Sequence, residues 1–109
     1  MNSGDLRHRI IIQEKISSRD TYGMEKITWS HVSEVWASAE PLRGQEYLEA
    51  RRLQADIDVR FRMRYRDGIK PAMRVLHDGR IFDIQGVIHV KEAGRELQLM
   101  CKEHLKEGI

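Results

Sequence analysis

The sequence RVLHDGRIFDIQGVIHV, residues 74–90, carries the clearest structural signal in this 109-residue chain. Asp78 and Gly79 separate two apolar-rich runs, and Asp-Gly at such a point is typical of a two-residue hairpin turn. Gly86 in the second run indicates a bulge or bend, because a glycine weakens a regular strand. The stretch therefore predicts an antiparallel β-hairpin.

Further strands are predicted on both sides of this hairpin. Residues 27–40 are rich in tryptophan and β-branched side chains and stop at Pro41, which cannot donate a ladder hydrogen bond. The predicted strands cover residues 6–14, 27–40, 57–66, 73–77, 80–90 and 96–104. About six short antiparallel strands predict a mainly β fold, either a small barrel or a sandwich.

Two segments between the strands are predicted to differ from the sheet. Residues 15–26 (KISSRDTYGMEK) are polar without periodicity, which favours a long flexible loop. Residues 44–55 contain strong helix formers with apolar side chains at near-helical spacing, which predicts one short α-helix. Glu49 and Arg52 form a supportive pair there. The whole chain, residues 1–109, is expected to be a single domain.

The segment VRFRMRYR, residues 59–66, alternates apolar side chains with arginine. On a strand the apolar set, Val59, Phe61, Met63 and Tyr65, shares one face and is expected to enter the core. The opposite face carries Arg60, Arg62, Arg64 and Arg66.

Three uses of this arginine face are open. It could be a solvated face whose arginines pair across strands with Asp83 or Glu96. It could be a protein–protein interface. It could also bind phosphate directly, although Asp56 and Asp58 continue the same face and would repel phosphates.

The bulk composition narrows the classes of function. The chain is 40% hydrophobic and 33% charged, which indicates a globular protein. Its 19 basic and 17 acidic residues give a net charge of +2, a small excess for a protein that holds nucleic acid by counterion release. No N-terminal signal and no apolar run of about 20 residues is present, so we expect synthesis in the cytoplasm and no membrane contact.

No catalytic or metal-binding pattern is visible. The five histidines lack ligand spacing, and Asp78 and Asp83 suit the hairpin better than acid–base catalysis. Cys101 is the only cysteine and alternates with Leu97 and Leu99, so we expect a core residue rather than a nucleophile. We therefore predict no enzyme, no cofactor and no metal.

Three aromatic residues divide into two groups. Trp29 and Trp36 are expected to anchor the core rather than to stack on bases. Tyr22 lies in the polar segment 15–26, where it has no core to enter. Such an exposed aromatic residue is a candidate anchor for a partner.

The order of these signals resembles the head–tail joining proteins of tailed bacteriophages, also called head-closure, stopper or adaptor proteins. The most specific pieces are VWA (35–37), GQEYLEA (44–50), RYR (64–66) with IKPAMR (69–74), and GRIFDIQGV (79–87). No single piece is decisive, but their order and spacing extend the resemblance over nearly the whole chain.

The resemblance implies a small β-barrel with one helix and a long loop. Copies would form a ring in the virion neck beneath the portal, closing the DNA-filled head and docking the tail. The partners would be the portal or adaptor ring and tail-side proteins. DNA would pass through the channel without sequence-specific binding, and no enzymatic activity is implied.

The resemblance also implies roles for individual residues. Motif residues would be mainly architectural: Trp36, Glu46, Tyr65, Met73, Arg74, Phe82, Ile84 and Gly86. Residues 17–26 and 43–55 would reach neighbouring rings or the channel. The expected interface residues are Asp20, Tyr22, Arg43, Glu46, Glu49, Arg52, Arg60, Arg62, Arg64 and Arg66.

The ring gives a physical argument about the arginine face. Each phosphate contact adds salt-sensitive affinity, so arginines turned toward the channel would slow the exit of DNA. We therefore favour pairing with carboxylates of the same or a neighbouring subunit, with Glu46 and Glu49 as candidates. The alternative is a small nucleic-acid-binding β-barrel that uses the face from Arg60 to Arg66. The sequence leaves open the ring copy number and whether an isolated subunit is monomeric.

Overall fold

The computed structural model describes residues 6–42, 57–91 and 95–104. In this part of the chain six antiparallel strands form one sheet that closes into a barrel, in the order β1-β2-β3-β6-β5-β4. The strands are β1 (His8–Arg19), β2 (Glu25–Pro41), β3 (Val59–Arg64), β4 (Arg74–His77), β5 (Arg80–Val90) and β6 (Glu96–His104). The prediction of a mainly β fold with about six antiparallel strands is confirmed.

Side chains at alternate positions of the strands point inward and fill the interior of the barrel. Phe61 and Phe82 are fully buried and meet edge to face with their ring centroids 5.1 Å apart. The other core residues include Ile10, Ile12, Ala37, Met63, Val75, Ile84, Leu97, Leu99 and Cys101. Burial of this set removes the apolar faces of all six strands from water, which is the main stabilising term of the fold.

One residue predicted for the core lies outside it. Tyr65 keeps the alternation of Phe61 and Met63, but it follows the end of β3 and is 37% exposed. The pairing of β2 with β3 reaches only to Ala37 and Met63. Beyond that pair strands β2 and β3 separate. The next inward position, Tyr65, therefore faces a cleft instead of the packed interior.

The turn chemistry is as the sequence predicts. Asp78 and Gly79 have φ angles of 52° and 74°, which places both central residues of the β4–β5 hairpin in the left-handed region that a type I′ turn requires. The β5–β6 register shifts between Ile84 and Gly86, so the bulge predicted from Gly86 is present.

The segment predicted as a long flexible loop is instead the far end of the β1–β2 hairpin. β1 continues to Arg19 and β2 begins at Glu25, so the turn spans only residues 20–24. Strand β4 pairs with β1 only at residues 11–13, and residues beyond them on β1 pair with β2 alone. Since both faces of the hairpin are exposed over residues 14–28, its sequence has no apolar alternation to reveal the strands. Residues 14–30 are called the arm below.

The predicted helix at residues 44–55 lies outside the described residues. The same holds for four of the predicted interface residues, Arg43, Glu46, Glu49 and Arg52, and for Asp56. In the described ranges no helix is long and apolar enough to cross a membrane.

Candidate assembly surfaces

The arginine face of β3 is bracketed by carboxylates on both neighbouring strands. Arg60 Nη2 lies 2.8 Å from Glu40 Oε1 on β2, and Arg62 Nη1 lies 3.3 Å from Glu40 Oε2. On the other side Arg62 Nη2 lies 2.8 Å from Glu96 Oε1 on β6. Glu40, Arg60, Arg62 and Glu96 are called the ion-pair network below. The network places alternating charges across three strands.

Both carboxylates of the network are held in the ionised form. Partial burial works to raise the pKa of Glu40, but hydrogen bonds from Arg60 and from Ser38 outweigh it, and the pKa lies below its ordinary value. For Glu96 the hydrogen bond from Arg62 is the largest influence and lowers the pKa against partial burial, with help from Gln98. Arg60 and Arg62 therefore have their charge compensated within their own chain.

The two sequence candidates for cross-strand partners have different outcomes. Glu96 pairs with Arg62, as predicted. Asp83 lies opposite Arg74 and Lys102, and its Oδ2 is 3.2 Å from His104 Nδ1. Of the two alternatives, Glu96 is therefore the partner, and Asp83 on β5 is separated from the β3 arginines by β6.

The other two arginines of the series, Arg64 and Arg66, lie beside an open cavity of about 550 Å³. Its lining residues are Leu6, Val35, Trp36, Met63, Arg64, Tyr65 and Arg66, called the rim pocket below. Arg64 and Arg66 are exposed, and within the described ranges neither has a carboxylate partner. The four arginines thus divide into a compensated pair and a pair at the mouth of an apolar cavity.

The cavity follows from the local course of the chain. Arg64 still pairs with Glu96, and the Tyr65 N–H donates to the carbonyl of Arg95, so residues 64–65 stay beside β6. Strand β2, in contrast, turns toward β1, where Trp36 pairs with Arg9. The divergence of the two segments beyond the Ala37–Met63 pair opens the rim pocket.

Both tryptophans lie outside the core, so the prediction that they anchor it is wrong. Trp36 is 51% exposed, and the Arg9 guanidinium lies 5.1 Å from its ring centroid. Trp29 is half-buried at the base of the arm, with the Arg74 guanidinium 4.1 Å from its ring centroid. Trp36 adjoins buried Ala37, so strand alternation by itself places its side chain on the outer face.

The tip of the arm displays apolar side chains to solvent. Tyr22 is 91% exposed and Met24 is 66% exposed. Asp20 builds the turn, since its Oδ1 accepts hydrogen bonds from the backbone N–H groups of Tyr22 and Met24, each at 2.9 Å. Gly23 completes it with a φ of 79°. Asp20 therefore stabilises the turn, whereas the side chain of Tyr22 is displayed to solvent.

Two further candidate chemical groups of the barrel are a cysteine and a pair of histidines. Cys101 is fully buried, and burial raises the pKa of its thiol, so the core position predicted from the sequence is confirmed. The His77 Nε2 atom lies 3.3 Å from His8 Nδ1, and burial lowers the pKa of His77. Among the residues whose placement is described, no three His, Cys, Asp or Glu side chains converge on a metal position.

Comparison with known proteins gives a family match over most of the chain. Residues 1–104 match a family model described as phage head completion protein. Head completion protein gp7 of Enterobacteria phage HK97 is 26% identical over 107 residues, a span covering 94% of this chain and 96% of that protein.

Two solved structures are similar to the barrel. The solution structure of protein SF1141 from Shigella flexneri 2a has a TM-score of 0.81 and 30% identity, covering 98% of this chain and 100% of that one. A chain in the virion of a native gene transfer agent particle has a TM-score of 0.58 and 21% identity, covering 93% and 97% respectively. The second likeness bears on the fold alone.

Proposed function

Because this chain belongs to the family of phage head completion proteins, we propose that it joins the portal-capped, DNA-filled head to the tail. Copies made in the cytoplasm of the bacterial host assemble as a ring on the portal or adaptor ring. The ring lies in the virion neck, where it closes or bridges the DNA exit channel and offers a docking surface to tail-side proteins. Enzymatic activity is no part of this role.

The observation that best supports this role is the ion-pair network. A conduit must let DNA pass, and each uncompensated arginine that met a phosphate would add salt-sensitive affinity. Arg60 and Arg62 are instead neutralised by Glu40 and Glu96 of the same chain. The strand that could have formed a basic groove is therefore a poor phosphate-binding surface over half its length, which favours a joining protein over the alternative nucleic-acid-binding barrel.

The arm supports the same role. It leaves the barrel as a two-stranded hairpin and exposes Tyr22 at its tip, a type of residue that is enriched in the centres of interfaces. We assign Asp20 and Tyr22, with Arg64 and Arg66, to contacts with neighbouring proteins. Arg43, Glu46, Glu49 and Arg52 belong to the same proposed contact surface through the family resemblance.

The direct test is the mass of the protein by light scattering over a range of concentrations, alone and with the cognate portal or adaptor ring. We expect a fixed number of copies to bind each ring, with binding retained at about 150 mM salt. Short duplex DNA should not bind under those conditions. A protein that binds DNA but does not bind the portal or adaptor ring would overturn the joining role and support the nucleic-acid-binding barrel.

A further inference from the structure

The described residues form the rim pocket as an apolar site with cationic edges. Trp36 and Tyr65 are partly exposed beside it, and Arg64 and Arg66 lie at its mouth. In the described ranges these two arginines lack the carboxylate partners that Arg60 and Arg62 have. An occupant that fits must bring an apolar or aromatic side chain, and it must present π-electron density or a carboxylate to the guanidinium groups.

The arm tip carries this chemistry. Tyr22 supplies an aromatic ring and Met24 an adaptable apolar side chain, while Asp20 and Glu25 supply carboxylates beside them. Arginine stacks favourably on an aromatic face, so Tyr22 between Arg64 and Arg66 would gain both apolar burial and a cation–π contact. Tyr22 is 91% exposed, so it does not occupy the pocket of its own chain.

The arm is about as long as the molecule is wide along its two shorter axes. From Gln13, the last residue paired with β4, to the turn at Asp20 the strand rises about 3.3 Å per residue, or about 23 Å. The two shorter dimensions of the molecule are 27 and 24 Å. An arm of this length can cross from one barrel to the next in a ring.

We infer that the arm tip of one copy docks in the rim pocket of the next copy, with Tyr22 as the anchor and Arg64 and Arg66 as the clamp. The inference rests on the proposed ring. Because the arm and the pocket are different surfaces, the contact is heterologous and repeats around a ring when its rotation closes. The guanidinium groups would fix the angle of the incoming arm.

Engineered cysteines test this contact with little background. Cys101 is the only native cysteine and is fully buried, so added surface cysteines are the reactive thiols of the folded protein. Thr21→Cys keeps Tyr22 at the tip, and Asp67→Cys, at the exposed position next to Arg66, keeps both clamp arginines and the apolar lining. The double variant is assembled on the cognate portal or adaptor ring and mildly oxidised. A matched control pairs Thr21→Cys with Ile88→Cys, an exposed apolar position on β5, two strands away from β3.

We expect the Thr21→Cys/Asp67→Cys protein to form a reducible ladder of covalent multimers on the ring, and the Thr21→Cys/Ile88→Cys control to form none. Equal cross-linking in both proteins would overturn the docking. Bound rings without the ladder would also overturn it while leaving the joining role intact. If no ring forms, both proposals fail.

A second measurement does not depend on cysteine geometry. Tyr22→Ala removes the anchor from an exposed tip, so the barrel should be unaffected. We expect Tyr22→Ala to raise the protein concentration needed for ring formation on the portal or adaptor ring by about tenfold or more. An effect of this size is typical for loss of an interface hot-spot residue. Thr21→Ala should leave that concentration unchanged. Equal effects of the two variants would contradict the docking.

Discussion

Arg62 donates two hydrogen bonds to a single oxygen of Glu96, from Nη2 at 2.8 Å and from Nε at 3.1 Å. The same guanidinium lies 3.3 Å from Glu40 on the opposite neighbouring strand. One side chain therefore joins β2, β3 and β6 on the outer face of the barrel. This relationship explains how an arginine-rich strand can lie in a protein whose proposed work requires little affinity for DNA.

The network should stabilise the barrel more than an exposed ion pair does. Glu96 is only 6% exposed, so Glu96→Ala leaves Arg62 short of its main partner and should lower the free energy of unfolding by about 1–3 kcal/mol. Glu34→Ala is the control, because Glu34 and its partner Arg9 are both more than 40% exposed and such pairs contribute about 0–1 kcal/mol. Urea unfolding of both variants gives the comparison, and equal losses would contradict the structural role of the network.

Acid should remove this stabilisation. The pKa values of Glu40 and Glu96 are lowered in the folded protein, so the unfolded chain takes up protons first as the pH falls past the ordinary glutamate pKa of about 4.3. The contribution is therefore complete above that pKa and is lost as the pH falls through the folded-state values.

The stability difference between the wild type and Glu96→Gln should accordingly be constant from about pH 8 to pH 6 and shrink below about pH 4. Thermal unfolding across this range measures it. A difference that persists unchanged at about pH 3 would show that the charge of Glu96 is not what stabilises the protein.

The same substitution in two hairpins should separate the arm from the barrel. Gly23 and Gly79 both have positive φ, at 79° and 74°, and an added Cβ would meet no atom within 4 Å at either position. Each Gly→Ala change therefore carries only the backbone strain of about 1 kcal/mol. Because Gly79 lies between β4 and β5, its loss should reduce global stability in urea.

Gly23→Ala should leave global stability unchanged and weaken amide-exchange protection in residues 14–30 alone. This expectation follows from the pairing of the arm strands with each other only. A drop in barrel stability equal to that of Gly79→Ala would mean that the arm is part of the cooperative core.

Removing the two carboxylates of the ion-pair network should increase affinity for DNA. Glu40→Gln with Glu96→Gln keeps side-chain shape and removes both carboxylates from Arg60 and Arg62. We expect this double variant to gain salt-dependent binding to short duplex DNA at low ionic strength. Glu14→Gln with Glu25→Gln changes the net charge equally, but on the arm, and should gain less. Binding by the wild type as strong as by the first variant would contradict compensation by the network.

Most of the strand framework could be predicted from the sequence because each barrel strand has one buried face. The stretch 74–90 is the clearest case, since Asp78-Gly79 fixes the turn and Gly86 marks the bulge. The arm could not be predicted in this way. With both of its faces exposed, it lacks the alternation that reveals a strand, and its polar composition resembles a loop.

The candidate surfaces were predictable only in part. The sequence indicates that Arg62 and Glu96 are charged residues at outward positions of their strands. It does not indicate that β3 adjoins β6, which depends on the topology of the barrel. Glu40 as a shared partner depends on the register of β2 against β3, and the rim pocket depends on where these strands separate. The sequence marks neither. The outward position of Trp36 was readable from its alternation with Ala37, although its size and apolar character favour the core.

The most direct test of the joining role is completion of heads in vitro. DNA-filled heads that lack this protein are mixed with the purified protein and with separately prepared tails. We predict that the heads retain their DNA and accept tails only when the protein is added, and that its density appears in the neck by electron microscopy. Heads that retain DNA and join tails equally well without it would contradict the account.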